Sequence, residues 1–457
     1  MPRVRPVRGE ALLTLALLNI FVLIAGFVVL DVVEARPLPA EPRPVTSAEG
    51  VAAAEPAAST PADPERIADI LHDPMSASGL EEGLYGYVLD AATGEAVFEL
   101  GADTPATPAS TTKIATAVAV LSAVGPDRVL STEAHLDPAG GTVVLRGGGD
   151  ATLTTDRDHA GYPPVATLEE LAEKTAAALA GQGIDTVSVG YDDSLFTGDT
   201  TGPGWKPNYI TEGSTAAVHA LMIDSGLMYP GSEVPTRVPD PPLVAAEAFA
   251  GQLEDQGITV EGAPVEAVAA GDPIASVDSM PMTALVEHMM LASDNNMAEN
   301  LGRVAAIETG HDPSFAGAAE ATHQILDGLG IDGVTLSDNS GLSTENRITP
   351  RALVDLVRLA SDPAHAELNA AITGLPTANS TGTLSYRGRY DEGSLANGAA
   401  GMVRGKTGTL NGVSALAGTI RDQEGNTYVF AFLANVPGVT GAQLDTLAAA
   451  LSSCGCS

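Results

Sequence analysis

The chain has 457 residues, room for one to three globular units, and a hydrophobic content of 44 % supplies sizeable cores. Its formal net charge of −36 repels phosphate backbones and argues against nucleic acid as a partner. Both cysteines, Cys454 and Cys456, fall in the last four residues, and the eight histidines are scattered. That leaves no disulfide framework in the body and no zinc-ligand spacing, so neither a metal nor another cofactor is expected.

Arg3, Arg5 and Arg8 precede an apolar run from Ala11 to Leu30. Twenty helical residues span roughly 30 Å, the thickness of a bilayer core, and basic residues before such a run hold that end in the cytoplasm. The run is longer than a signal-peptide core, although Val33-Glu34-Ala35 offers small residues for cleavage. Residues 1–35 are therefore read as a signal or anchor segment, with an uncleaved anchor favoured and the body outside the cell in either case. Residues 36–64, rich in Pro, Ala, Glu, Thr and Ser, cannot form a core and read as a tether.

The body opens at 65 with "LYGYVLDAATGEAVFEL", a predicted hairpin over 84–100. A Pro-rich loop leads to Ser110 and then "TTKIATAVAVLSAVG", whose apolar residues surround the whole helix and predict its burial. From 131 to 275 the texture changes. "GGTVVLRGGGDATL" suggests a strand pair closed by glycines, and two helix–"QGI"–strand units suggest an inserted α/β domain with its own core. From 276 to 457, "MTALVEHMMLASDNNMAENLGRVAAIE" predicts a helix broken at Ser293. Another helix follows at "TPRALVDLVRLASD", then three strands in "MVRGKTGTLNGVSALAGTIRDQEGNTYVFAFLANV" and a closing amphipathic helix. Strands at both ends with helices between them predict an α+β domain, residues 65–130 with 276–457, around an antiparallel sheet whose ends meet.

The chemistry starts from lysine usage. Of 22 basic residues only Lys113, Lys174, Lys206 and Lys406 are lysines. Ser110 and Lys113, three apart on a helix, share a face about 5–6 Å apart. A serine hydroxyl needs a base to become a nucleophile, a buried lysine amine can be that base, and an arginine cannot. Lys406-Thr407-Gly408-Thr409 lies on a predicted strand. Lys406 there can hold a substrate carboxylate, Gly408 lets a substrate backbone approach a sheet edge, and the Thr409 N–H can form an oxyanion hole with that of Ser110. A Ser-x-Asn element is offered twice. Ser293-Asp294-Asn295 sits between two helices on a rigid base; Ser337-Asp338-Asn339 reads as a loop. The first is chosen, with Ser293 relaying a proton to the leaving amine and Asn295 donating to the substrate backbone.

The order S-x-x-K, S-x-N, K-T-G resembles the penicillin-recognising serine enzymes. With "LRGGGDATL", "GPGWKPNY", "NSGLSTENRITP" and "STGTLSYR", residues 65–450 resemble an exported class C penicillin-binding protein of the D-alanyl-D-alanine carboxypeptidase/endopeptidase type. Ala151 and Asn339 depart from the pattern, where Pro and Gly are expected. The resemblance implies a DD-peptidase/β-lactamase-like transpeptidase fold with helices on both faces of the sheet. It also implies action on peptidoglycan stem peptides, with Lys406 and Thr407 binding the terminal carboxylate, and acylation by β-lactams. Ser110 and Ser293 are 183 positions apart, which implies one inserted domain. The alternatives are a β-lactamase and a non-catalytic penicillin-sensing or wall-binding protein. In "HAELN", His365 stands where a class A β-lactamase carries its deacylating Glu.

Overall fold

The computed structural model describes residues 62–455 apart from 78, 81, 138–140, 158–163 and 233. The apolar run at 11–30 and the tether up to residue 61 lie outside the described residues. Among the described residues no helix is long and apolar enough to cross a membrane.

Helix α1 (Pro64–Ala77) leads into the hairpin β1 (Leu84–Asp90) and β2 (Ala96–Leu100). The chain then forms α2 (Thr112–Val124) and leaves for a second sheet: β3 (Ser131–Asp137), β4 (Thr142–Arg146), α3 (Leu168–Gly181), β5 (Thr186–Asp192), α4 (Pro241–Asp255), β6 (Thr259–Val260), β7 (Val265–Glu266) and β8 (Ala275–Asp278). It returns through α5 (Met282–Ala292), α6 (Asn295–Glu308), α7 (Phe315–Gly328), the strand pair β9 (Val334–Thr335) and β10 (Arg347–Ile348), and α8 (Pro350–Ser361). It closes with β11 (Val403–Leu410), β12 (Val413–Arg421), β13 (Thr427–Ala434) and α9 (Gly441–Ser452). Helix α7 was not anticipated from the sequence.

The main sheet has the order β11-β12-β13-β1-β2 and is antiparallel throughout, with Leu84 opposite Ala434. Strand β13, "TYVFAFLA", is apolar after Thr427 because both faces are covered. Its alternate residues sort into two cores, as a period of two requires. Val429, Ala431 and Leu433 face a core shared with α2, α5, α6 and α8. Tyr428, Phe430 and Phe432 face one shared with Ile67, Leu71, Leu444, Leu447, Leu451 and Cys454. This layering is the α+β arrangement with helices on both faces. Helix α2 runs through the first core with every residue from Thr112 to Leu121 buried, as its all-round apolar pattern predicts.

The second sheet, β6-β5-β4-β3-β8 with β7 also on β5, has its own core with α3 and α4. Strands β4 and β5 are parallel and joined through α3, so this part contains a βαβ unit. Here the strand pair expected in "GGTVVLRGGGDATL" is corrected: it contains one strand, β4, which ends at Arg146. The glycines after it serve close packing. A Cβ on Gly147 would sit 2.5 Å from the Ala220 backbone, and one on Gly148 would sit 2.1 Å from the Ser131 carbonyl oxygen.

Candidate active site

Ser110 lies in a 3₁₀ turn, Ala109–Thr111, that runs directly into α2. Ala109 holds the left-handed region at φ 48°, an uncommon conformation for a residue with a Cβ. Two glycines make room for it. A Cβ on Gly341 would lie 2.0 Å from the Ala109 carbonyl oxygen, and one on Gly408 would lie 2.6 Å from the Pro108 carbonyl oxygen. Gly408 is thus required first for the strand to press against the turn that carries Ser110, a constraint within the chain and separate from substrate approach.

One helical turn on, Lys113 is fully buried. Its Nζ donates to Ser110 Oγ at 3.2 Å, to Asn295 Oδ1 at 2.6 Å and to the Ser340 carbonyl at 2.6 Å. Burial pushes the amine down to about 8, opposed by the charges of Asp338, Glu299 and Asp294. About one amine in ten is then unprotonated at pH 7, against fewer than about one in a thousand at an ordinary lysine value.

Ser293 ends α5 in the left-handed region at φ 57°, and Asp294 caps α6 by accepting from the Met297 N–H at 3.0 Å. The kink between the helices turns Ser293 toward β11, where Ser293 Oγ accepts from Lys406 Nζ at 2.8 Å. Lys406 is fully buried and also donates to the Thr407 carbonyl at 3.0 Å. Burial, then the charges of Lys113 and Arg389, push its amine well below the ordinary lysine range. An arriving carboxylate would restore its charge. Beside it the hydroxyls of Thr407 and Thr383 are 2.7 Å apart. Thr409 follows Gly408 on the same strand, opposite Ser414.

The structure therefore forms two hydrogen-bonded groups, Ser110, Lys113 and Asn295 in one and Ser293 and Lys406 in the other, which meet through the Ser293-Asp294-Asn295 backbone. Asn295 differs from expectation in its partners. Its oxygen accepts from Lys113 and its amide donates to the Ser214 carbonyl at 2.8 Å, leaving one N–H for a substrate. His365 is on an exposed turn, 3.3 Å from Glu367. Sequence reasoning missed Ser340, whose contribution is a backbone carbonyl, and Glu299 and Asp338 behind it. The weak signal was the second Ser-Asp-Asn: its Asp338 and Asn339 are fully buried, unlike those of a solvated loop.

A buried lysine bonded to a serine hydroxyl, with a second buried lysine on an adjoining sheet-edge strand, defines a serine acyl-transfer enzyme of the penicillin-recognising fold. The chain belongs to the D-Ala-D-Ala carboxypeptidase 3 (S13) family, whose profile matches residues 64–234 and 229–452. It is 37 % identical over 431 residues to carboxypeptidase DacB of Mycolicibacterium smegmatis, covering 92 % of this chain and 91 % of that one. It is 28 % identical over 438 residues to a D-alanyl-D-alanine carboxypeptidase of an Actinomadura species, covering 79 % of each. In structure it resembles penicillin binding protein 4 of Haemophilus influenzae, with a TM-score of 0.67 and 23 % identity over 83 % of this chain and 98 % of that one.

Proposed function

We propose that the protein is a serine D-alanyl-D-alanine carboxypeptidase acting outside the cell on peptidoglycan stem peptides, with endopeptidase cleavage of cross-links as a second activity. The observation that carries this is the Lys113 Nζ–Ser110 Oγ bond of 3.2 Å made by an amine pushed down to about 8. The neutral amine takes the Ser110 proton as Oγ attacks the penultimate D-Ala carbonyl. The backbone N–H groups of Ser110 and Thr409 hold the resulting oxyanion. Lys406, with the Thr407 and Thr383 hydroxyls, binds the terminal carboxylate. The peptide runs antiparallel along β11, the edge strand of the sheet. Ser293 relays the proton taken up by Lys113 to the departing amine, D-Ala leaves, and the Lys113 amine is neutral again. Water then cleaves the acyl-serine ester and returns Ser110 its proton. A β-lactam opens on the same serine, but its leaving nitrogen stays tethered and the ester persists. The apolar run at 11–30 and its preceding arginines support export and retention at the membrane.

Incubating the purified protein with defined muropeptides and following products by mass spectrometry tests this reading. Loss of one terminal D-Ala by wild type and not by Ser110→Ala is expected. Labelled penicillin that attaches equally to wild type and to Ser110→Ala would overturn it.

A further inference from the structure

The loop behind Lys113 is shaped by two buried carboxylates. Asp338 accepts from the N–H groups of Gly341 at 2.9 Å and Ser343 at 2.6 Å, from Asn346 Nδ2 at 2.7 Å, and from Trp205 Nε1 at 2.7 Å. Glu299, in the second turn of α6, is fully buried. It accepts from the Asn339 N–H at 3.1 Å and the Ser340 N–H at 2.8 Å. Ser340 is also the residue whose carbonyl takes the 2.6 Å bond from Lys113. One residue is therefore gripped on its N–H side by Glu299 and on its C=O side by the catalytic lysine. Asn339 is fixed from behind as well: its carbonyl accepts from Thr116 Oγ1 at 2.6 Å and its side-chain oxygen from Thr322 Oγ1 at 2.7 Å.

We propose that Glu299 is a positioning residue of the acyl-transfer reaction: by holding the Asn339 and Ser340 N–H groups it fixes the Ser340 carbonyl and so aims the Lys113 amine at Ser110. The inference rests on Lys113 being the base. The charged groups facing Lys113 are Asp294 at the α6 cap, Glu299 on α6, Asp338 on the loop and Lys406 on β11. Arg303, one turn beyond Glu299, is in turn influenced by it. Burial, then the neighbouring Asp338, push the Glu299 carboxyl up to about 8, so its role rests on the bonds it accepts and not on a fixed charge.

The test compares the full-length wild type with Glu299→Gln, Glu299→Asp and Ser110→Ala. The rate of acylation by fluorescent penicillin is followed from about pH 6 to about pH 9.5, with thermal unfolding in parallel. For Glu299→Gln, which keeps one acceptor oxygen of the two, the limiting rate falls about tenfold or more, and the midpoint of the rising limb moves to lower pH by roughly half a unit, because a loosened Ser340 carbonyl holds the ammonium less well. Glu299→Asp retracts the carboxyl from the amides and loosens the same carbonyl, so its limiting rate falls and its midpoint moves in the same direction. A Glu299→Gln protein with wild-type rate and midpoint overturns the proposal, as does a rate loss that merely tracks the folded fraction. If Glu299→Gln does not fold, an unchanged limiting rate in Glu299→Asp overturns it instead. Labelling of Ser110→Ala, or none of wild type, would fail the reading of Ser110 and Lys113 themselves.

Discussion

Acylation should titrate with Lys113. With the amine pushed down to about 8, the free-base fraction is about 1 % at pH 6, about 10 % at pH 7 and about half at pH 8. The limiting acylation rate should therefore rise about 50-fold between pH 6 and pH 8 and level off above about pH 9. The sign follows from the cause: burial disfavours the ammonium, so the reactive form gains as pH rises. Saturating penicillin is used so that the bound carboxylate keeps Lys406 charged. The readout is quenched-flow labelling with fluorescent penicillin. Lys113→Arg serves as control, since a guanidinium does not deprotonate; its rate should fall by about 10²–10⁴ and lose this pH dependence. A wild-type rate that climbs log-linearly through pH 9.5 without a plateau would show that Lys113 has an ordinary pKa near 10.4. A rate flat between pH 6 and pH 8 would show that another group is the base. Either result would refute the reasoning.

Gly408→Ala places a Cβ 2.6 Å from the Pro108 carbonyl oxygen and should lower stability by about 1–3 kcal/mol while slowing acylation; Gly398→Ala, with open space around it, should do neither, as urea unfolding and penicillin labelling will show. Arg389 holds the fully buried Asp445 at 2.5 Å, so Arg389→Ala should cost about 3–5 kcal/mol in denaturant unfolding, and Arg389→Ala with Asp445→Leu should recover much of it. Asp338→Ala strands the N–H groups of Gly341 and Ser343 and the Trp205 indole, and should cost several times about 1 kcal/mol by calorimetry.

The candidate catalytic set was legible because the proposed chemistry restricts residue type and spacing. A serine three residues before a lysine, a Ser-x-Asn between helices and a Lys-Thr-Gly on a strand each leave a mark in the order of side chains. The almost all-apolar α2 and the apolar run of β13 after Thr427 were legible for a similar reason, because burial on every side leaves little polar face. What stayed hidden works through the main chain or through close packing. Ser340 contributes a carbonyl, which every residue has. Gly408 is needed for a neighbour 300 positions earlier, Pro108, and nothing local records that. Gly147 and Gly148 read as a turn between strands, whereas their constraint comes from the backbones of Ala220 and Ser131. The second Ser-Asp-Asn looked like solvated loop because polar residues dominate it; burial of Asp338 is made tolerable by donors spread from Trp205 to Asn346.

The pairing of β1 with β13 sets a timetable for the enzyme. Leu84 and Ala434 stand opposite one another although 350 positions separate them in the chain. Ser110 and Lys113 are made early in synthesis, but Lys406 and the strand against which their turn rests come almost last. Closing so long a loop is slow, and it cannot begin before the C-terminal strands exist. A chain whose C-terminal strands are not yet made therefore carries Ser110 and Lys113 without Lys406 and without the strand against which their turn rests. The candidate site is therefore assembled only once the C-terminal strands β11–β13 have joined β1.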